Sequence, residues 1–157
     1  MRGFQLLPFD TLLIRCSHII LEHVYAGRPP AASIVLSHYL AHAQPRPSLV
    51  HLASTNPPTL AHSILHDRLL YICCTSHDVE PLLVLEFLHR LTDALEDFLG
   101  SPLLASKIEA QYDVVAQIVG EMCDAGLVCN TEPNALKEVI DTTTWMDNWL
   151  GGLGLPG

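Results

Sequence analysis

The chain has 157 residues, enough for one domain; it is 49% hydrophobic and 16% charged, with a formal net charge of −9. That balance fills a sizeable core and excludes a disordered chain, while the acidity excludes bulk-charge binding to nucleic acid or to an anionic membrane. The five cysteines form no CxxC and no disulfide ladder, so a reducing compartment fits. "MRGFQLLPFD" lacks a signal-peptide core, and no apolar run reaches the roughly 18 residues of a membrane span. The composition reads as a soluble, cytosolic protein whose apolar surplus suits a partner surface.

In chain order, "TLLIRC" (11–16) and "IILEHVYAG" (19–27) read as paired strands, although Ser17 and His18 are poor turn residues. Pro29 and Pro30 suit a helix entry, with Ala32, Val35, Leu36 and Tyr39 on one face and Pro45 and Pro47 as the stop. Three strands follow: "SLVHLAS" (48–54), "LAHSILH" (60–66) and "RLLYICCT" (68–75), the last two joined tightly at Asp67. In 68–75 both alternating sets are apolar, Leu69, Tyr71 and Cys73 against Leu70, Ile72 and Cys74. Such a strand is covered on both faces, which puts helices on both sides of the sheet.

The next segment (81–99) carries Val84, Phe87, Leu88, Leu91, Leu95 and Phe98 on one stripe and Glu86, Arg90, Asp93 and Asp97 opposite, with Pro81 in the first turn and Gly100 as the stop. A further helix from about Pro102 carries Ile108, Tyr112, Val115, Val119 and Met122, and Gly126 is its left-handed C-cap. Thr131 then caps a short helix, with Glu132 at its positive end, Pro133 in its first turn and Leu136, Val139 and Ile140 as its apolar side. The glycine-rich end, "DNWLGGLGLPG", reads as a fraying tail.

Motifs for chemistry are few. Nine histidines raise a metal hypothesis. His38 and His42 share a helix face but lack the glutamate of HExxH, His62 and His66 share a strand face, and His77 lies near Glu80; the ordinary reading is structural histidines and no metal. There is no GxSxG elbow and no phosphate-cradling glycine loop. Cys123 falls at a helix C-terminal turn, whose negative end opposes a thiolate. No catalytic residue, cofactor site or small-molecule substrate is indicated.

"EMCDAGLVCNTEPNALKEVI" (121–140) is a fixed corner, serving to seal the core or to dock a partner. It resembles the closing signature of the N-terminal domains of medium (mu) chains of the heterotetrameric clathrin-adaptor complexes, through Asp124, Gly126, Thr131, Glu132, Leu136, Lys137, Glu138 and Ile140. "NTEPNALKEVI", with Asn134, is most like the mu chain of adaptor protein complex 3. "LEFLHRLTDALEDFLG" (85–100) resembles the preceding family helix through Phe87, Leu88, Phe98 and Gly100, and "ILEHVYAGRPP" (20–30) the second strand and its exit.

The resemblance spans about 20–140. It implies an α+β longin (SNARE-like) fold: a five-stranded antiparallel sheet flanked by helices, in the order β-β-α-β-β-β-α-α with a short extra C-terminal helix. The divisions are a leader (1–10), the longin-like domain (11–141) and a flexible tail that is a truncated linker (142–157). The implied function is a non-enzymatic adaptor subunit in vesicle-mediated transport from Golgi or endosomes to vacuole or lysosome. Its partners would be the large and small adaptor subunits, with membrane contact only through the complex, and Thr131, Glu132, Asn134, Leu136 and Ile140 are the partner-contact candidates. Members of the family continue into a β-rich domain that reads tyrosine-based signals, which this sequence does not contain. They also begin with a strong first strand, for which 1–16 is a weak version. The competing readings are a small (sigma) adaptor chain, a longin-type regulator of small GTPases, and a histidine- and cysteine-dependent metalloenzyme.

Overall fold

Both alternating sets of β5 (Leu69–Thr75) are apolar, and both are buried. Leu69, Tyr71 and Cys73 enter one core, while Ile72 and Cys74, with Leu70 beside them, enter another on the opposite face. The computed structural model describes residues 9–140. Its sheet runs β2-β1-β5-β4-β3, every pair antiparallel, from β1 (Thr11–Arg15), β2 (Ile19–Val24), β3 (Leu49–Leu52), β4 (Thr59–His66) and β5. Helix α1 (Ala32–Leu40) covers one face through Ala32, Val35 and Tyr39. On the other face lie α2 (Pro81–Leu99), α3 (Ala105–Ala110), α4 (Tyr112–Met122) and α5 (Pro133–Val139). This is the longin-like, helix-flanked sheet that the sequence leads one to expect.

The two-residue turn at Asp67 and Arg68 has φ of 49° and 66°. Two left-handed residues in succession match the twist of a tight hairpin, and His66 pairs directly with Leu69 across it. The Asp67 carboxylate accepts the backbone N–H of Leu103 at 2.9 Å, tying the turn to the approach of α3. Strand β1, weak by pattern, is nevertheless central, with Leu12, Leu13 and Ile14 fully buried. Its connection to β2 does without glycine or asparagine because a bulge at Ile14/Arg15 absorbs the extra residue.

Four expectations need correction. The ordered domain starts before Thr11, because Phe9 is 1% exposed and packs on Phe87 at 5.2 Å between ring centroids, and Asp10 is buried too. The helix drawn from Pro102 to Met122 is two helices, broken at Gln111 (φ −119°, ψ 39°). The break rotates α4, so Val114, Val115, Ile118, Val119 and Met122 face the core and Tyr112 faces out. Gly126 does not cap a helix: α4 ends at Met122, and Ala125 and Gly126 (φ 48° and 87°) turn a small hairpin of β6 (Cys123–Asp124) and β7 (Leu127–Val128). Thr131 makes no cap; α5 begins after Glu132 with Pro133 in its first turn, and Val139 points outward. The remainder of the leader (1–8) and the tail assignment (142–157) lie outside the described residues.

Candidate interaction surface

The corner at 121–140 is built from α4 outward. The Met122 carbonyl accepts the Cys129 N–H at 3.0 Å, closing the β6–β7 hairpin. Gly126 turns its carbonyl inward, where it accepts the Phe9 N–H at 2.7 Å. The first described residue is therefore locked to the corner. Leu136 (0% exposed) and Ile140 (3%) join the core with Met122, so α5 is held by its apolar side. Lys137 adds an ion pair to Asp97 of α2 at 2.7 Å, half exposed and therefore weak.

The candidate residues thus divide. Leu136 and Ile140 anchor α5 from within. Glu132 and Asn134 are exposed, and Thr131 is half-buried. Arg90 of α2 donates to Thr131 Oγ1 at 3.4 Å and to Glu86 at 3.1 Å, bridging α2 and the corner. Leu83, Phe87, Val128 and Thr131 line a small cleft of about 110 Å³ beside that bridge. Sequence reasoning places Arg90 on a solvated face and misses this role; a contact spanning 41 residues leaves no local signal. Exposed apolar side chains sit nearby on the same elements: Leu82 (72%), Leu127 (40%) and Val139 (55%).

The residues singled out for chemistry are placed as structure. His62 is fully buried, and its Nδ1–H donates to the Cys73 carbonyl at 3.3 Å. Burial pushes its pKa down, partly offset by that bond. His66 turns instead to Glu96 (2.6 Å) and Asp67 (3.3 Å), which forms the one His/Cys/Asp/Glu group of metal-holding geometry among the described residues. Its carboxylates are already committed to His66 and to the Leu103 N–H. His38 and His42 do not enter such a group. Burial pushes the Cys74 and Cys123 thiols up to about 12 and Cys73 well up, so all three are inert as nucleophiles. Cys16 is lowered, chiefly by the backbone N–H of His18.

No family profile matches the sequence. Individual curated relatives do. The chain is 34% identical over 136 residues to the AP-3 complex subunit mu-1 of Rattus norvegicus, covering 84% of this chain and 32% of that protein. It is 28% identical over 141 residues to the AP-3 complex subunit mu of Schizosaccharomyces pombe, covering 90% of this chain and 30% of that protein. With the AP-3 complex subunit mu of Arabidopsis thaliana it shares 33% identity over 85 residues, covering 54% and 20%. The chain spans about a third or less of the length of these relatives. A twice-covered five-stranded antiparallel sheet, sealed at one end by a corner helix, defines a longin-like domain. Within that class, the chain belongs to the adaptor mu-subunit family, its relatives here being AP-3 subunits.

Proposed function

We propose that this chain is the longin-type module of a non-enzymatic adaptor-complex subunit in vesicle-mediated protein transport. The supporting observation is that relatives named as AP-3 mu subunits match 84% and 90% of this chain, whose described residues fold as one longin-like domain. In this reading the module is a brick: one sheet face is sealed by α1, the other by α2–α5, and the outer surfaces of α2 and α5 meet other chains. The partners are a large adaptor subunit, with a small one in the same assembly. Glu132, Asn134 and Thr131 contribute surface, while Leu136 and Ile140 act by fixing α5. The setting is the cytoplasmic side of Golgi or endosomal vesicles, reached through the complex, with transport towards vacuole or lysosome. The described helices include none long and apolar enough to cross a membrane. No cofactor or small-molecule substrate enters the proposal, and the relatives are mu rather than sigma chains.

The test is affinity capture of the tagged chain from cytosol with identification of the bound proteins. Recovery of the large chain of an AP-3-type complex supports the reading. Recovery of small GTPases without adaptor chains, or of no adaptor chain at all, refutes it.

A further inference from the structure

The chain carries 17 acidic residues against 8 Lys and Arg, yet three arginines converge on one cleft without a carboxylate partner among the described residues. The cleft, about 630 Å³, lies beyond the C-terminal end of α1, where that helix stops covering the sheet. Arg15 ends β1, Arg68 sits in the β4–β5 turn, Arg46 follows α1, and His89 of α2 reaches the same rim. No Asp or Glu among the described residues lines it. Asp67, next in sequence to Arg68, is turned to the Leu103 N–H instead.

Each arginine has donors to spare. The Nε of Arg15 is buried with no hydrogen-bond partner among the described residues, and its Nη2 makes one long bond of 3.4 Å to the Ser17 carbonyl. A buried donor left unpaired is costly unless a ligand supplies the acceptor. Arg46 is held rigid: Nε and Nη2 donate to the carbonyls of Tyr39 and Leu40, and its guanidinium lies over the Tyr39 ring at 5.3 Å. Arg68 makes no hydrogen bond or ion pair among the described residues and stands at φ 66°. The lining is mixed, with Ile64, Leu65 and Leu70 as its apolar part beside Gln44, Ser48 and Ser63. Leu70 is half-buried and Leu65 is 74% exposed at the edge of β4, where β3 no longer pairs with it.

We propose that this cleft binds a short, extended acidic peptide segment of a partner protein, its carboxylates on Arg15, Arg46 and Arg68 and an apolar side chain over Leu65 and Leu70. The charge pattern favours a peptide over a membrane or nucleic acid. A surface of net charge −9 repels an extended polyanion, whereas a local segment meets only the cationic cleft. Leu65 and Leu70 offer an apolar contact that a bare phosphate would leave unused. The proposal does not depend on assembly into an adaptor complex.

The test is fluorescence polarisation of the full chain with a labelled peptide of alternating glutamate and leucine. A glutamine-for-glutamate version and vesicles bearing phosphorylated inositol lipid serve as the other arms. The expected result is binding of the acidic peptide, weakened about tenfold by Arg68→Gln and by Arg15→Gln and by raised salt, and unchanged by Arg28→Gln, a cation outside the cleft. Arg68 is exposed and makes no internal bond, so R68Q retains its melting temperature and reads binding alone. Absence of acidic-peptide binding overturns the proposal, as do equal affinity for the glutamine peptide, indifference to both cleft substitutions, or arginine-dependent binding of the vesicles in place of the peptide.

Discussion

Leu136→Ala tests whether the corner is part of the core. Leu136 is fully buried against the α4 side of the core, and the substitution removes three carbons, about 2.4 kcal/mol at ~0.8 kcal/mol per buried methylene. The cavity left behind adds to this, within the roughly 2–5 kcal/mol seen for buried Leu→Ala. Because α5 is only seven residues long and lies at the edge of the domain, it can settle inward, which keeps the cost near 3 kcal/mol. For a chain of this size that lowers Tm by about 6–12 °C. The matched control is Val139→Ala on the same helix. Val139 is 55% exposed, so its loss changes stability by less than about 0.5 kcal/mol. Urea and thermal melts of both variants read the difference. Equal shifts, or a Leu136→Ala cost below about 1 kcal/mol, would show that α5 does not pack as described.

Three further outcomes follow from the same geometry. Gly126→Val places a β-branched residue at φ 87° and should destabilise by about 1–2 kcal/mol; coincident melts would remove the turn assignment. The pKa of His62 is lowered from 6.5 by burial, so between that lowered value and 6.5 the unfolded chain holds a proton that the native chain lacks. Stability therefore rises with pH through that window and is lost as pH falls below 6.5. His62→Gln should flatten that slope in urea melts between about pH 7.5 and about pH 5.5, and an unchanged slope would count against the buried neutral histidine. Thiol labelling of the native chain with a small disulfide reagent should modify Cys16 fastest and Cys129 next, with Cys73, Cys74 and Cys123 protected until unfolding. Early reaction of Cys73 or Cys74 would contradict the twice-covered β5.

What could be read from the sequence was what short-range pattern encodes. The doubly apolar alternation of 68–75 predicted two covered faces, and the stripe of α2 predicted Val84, Phe87, Leu88, Leu91 and Leu95 as buried, missing Thr92 and Ala94 and including Phe98, which is half-buried. Positive φ at Gly126 was legible too, since glycine is the natural choice there, but which element it ends was not. A helix cap and a hairpin turn make the same local demand, and the choice depends on Cys123 pairing with Val128. The break at Gln111 has no proline or glycine to announce it. Phe9 was unreadable as core because its partner, Phe87, lies on a distant helix. The arginine cleft was least visible of all. Arg15, Arg46 and Arg68 are isolated in sequence and meet only in the fold, at the end of β1, after α1 and in the β4–β5 turn. Of the corner candidates, the motif names Thr131, Glu132, Asn134, Leu136 and Ile140 alike; only the fold separates the exposed Glu132 and Asn134 and the half-buried Thr131 from the buried Leu136 and Ile140.

The most direct test of the building-block account is co-expression of this chain with the large chain of an AP-3-type adaptor, followed by size-exclusion chromatography with light scattering. The account predicts a stable one-to-one species that survives dilution. Two folded proteins eluting separately at their monomer masses would contradict it.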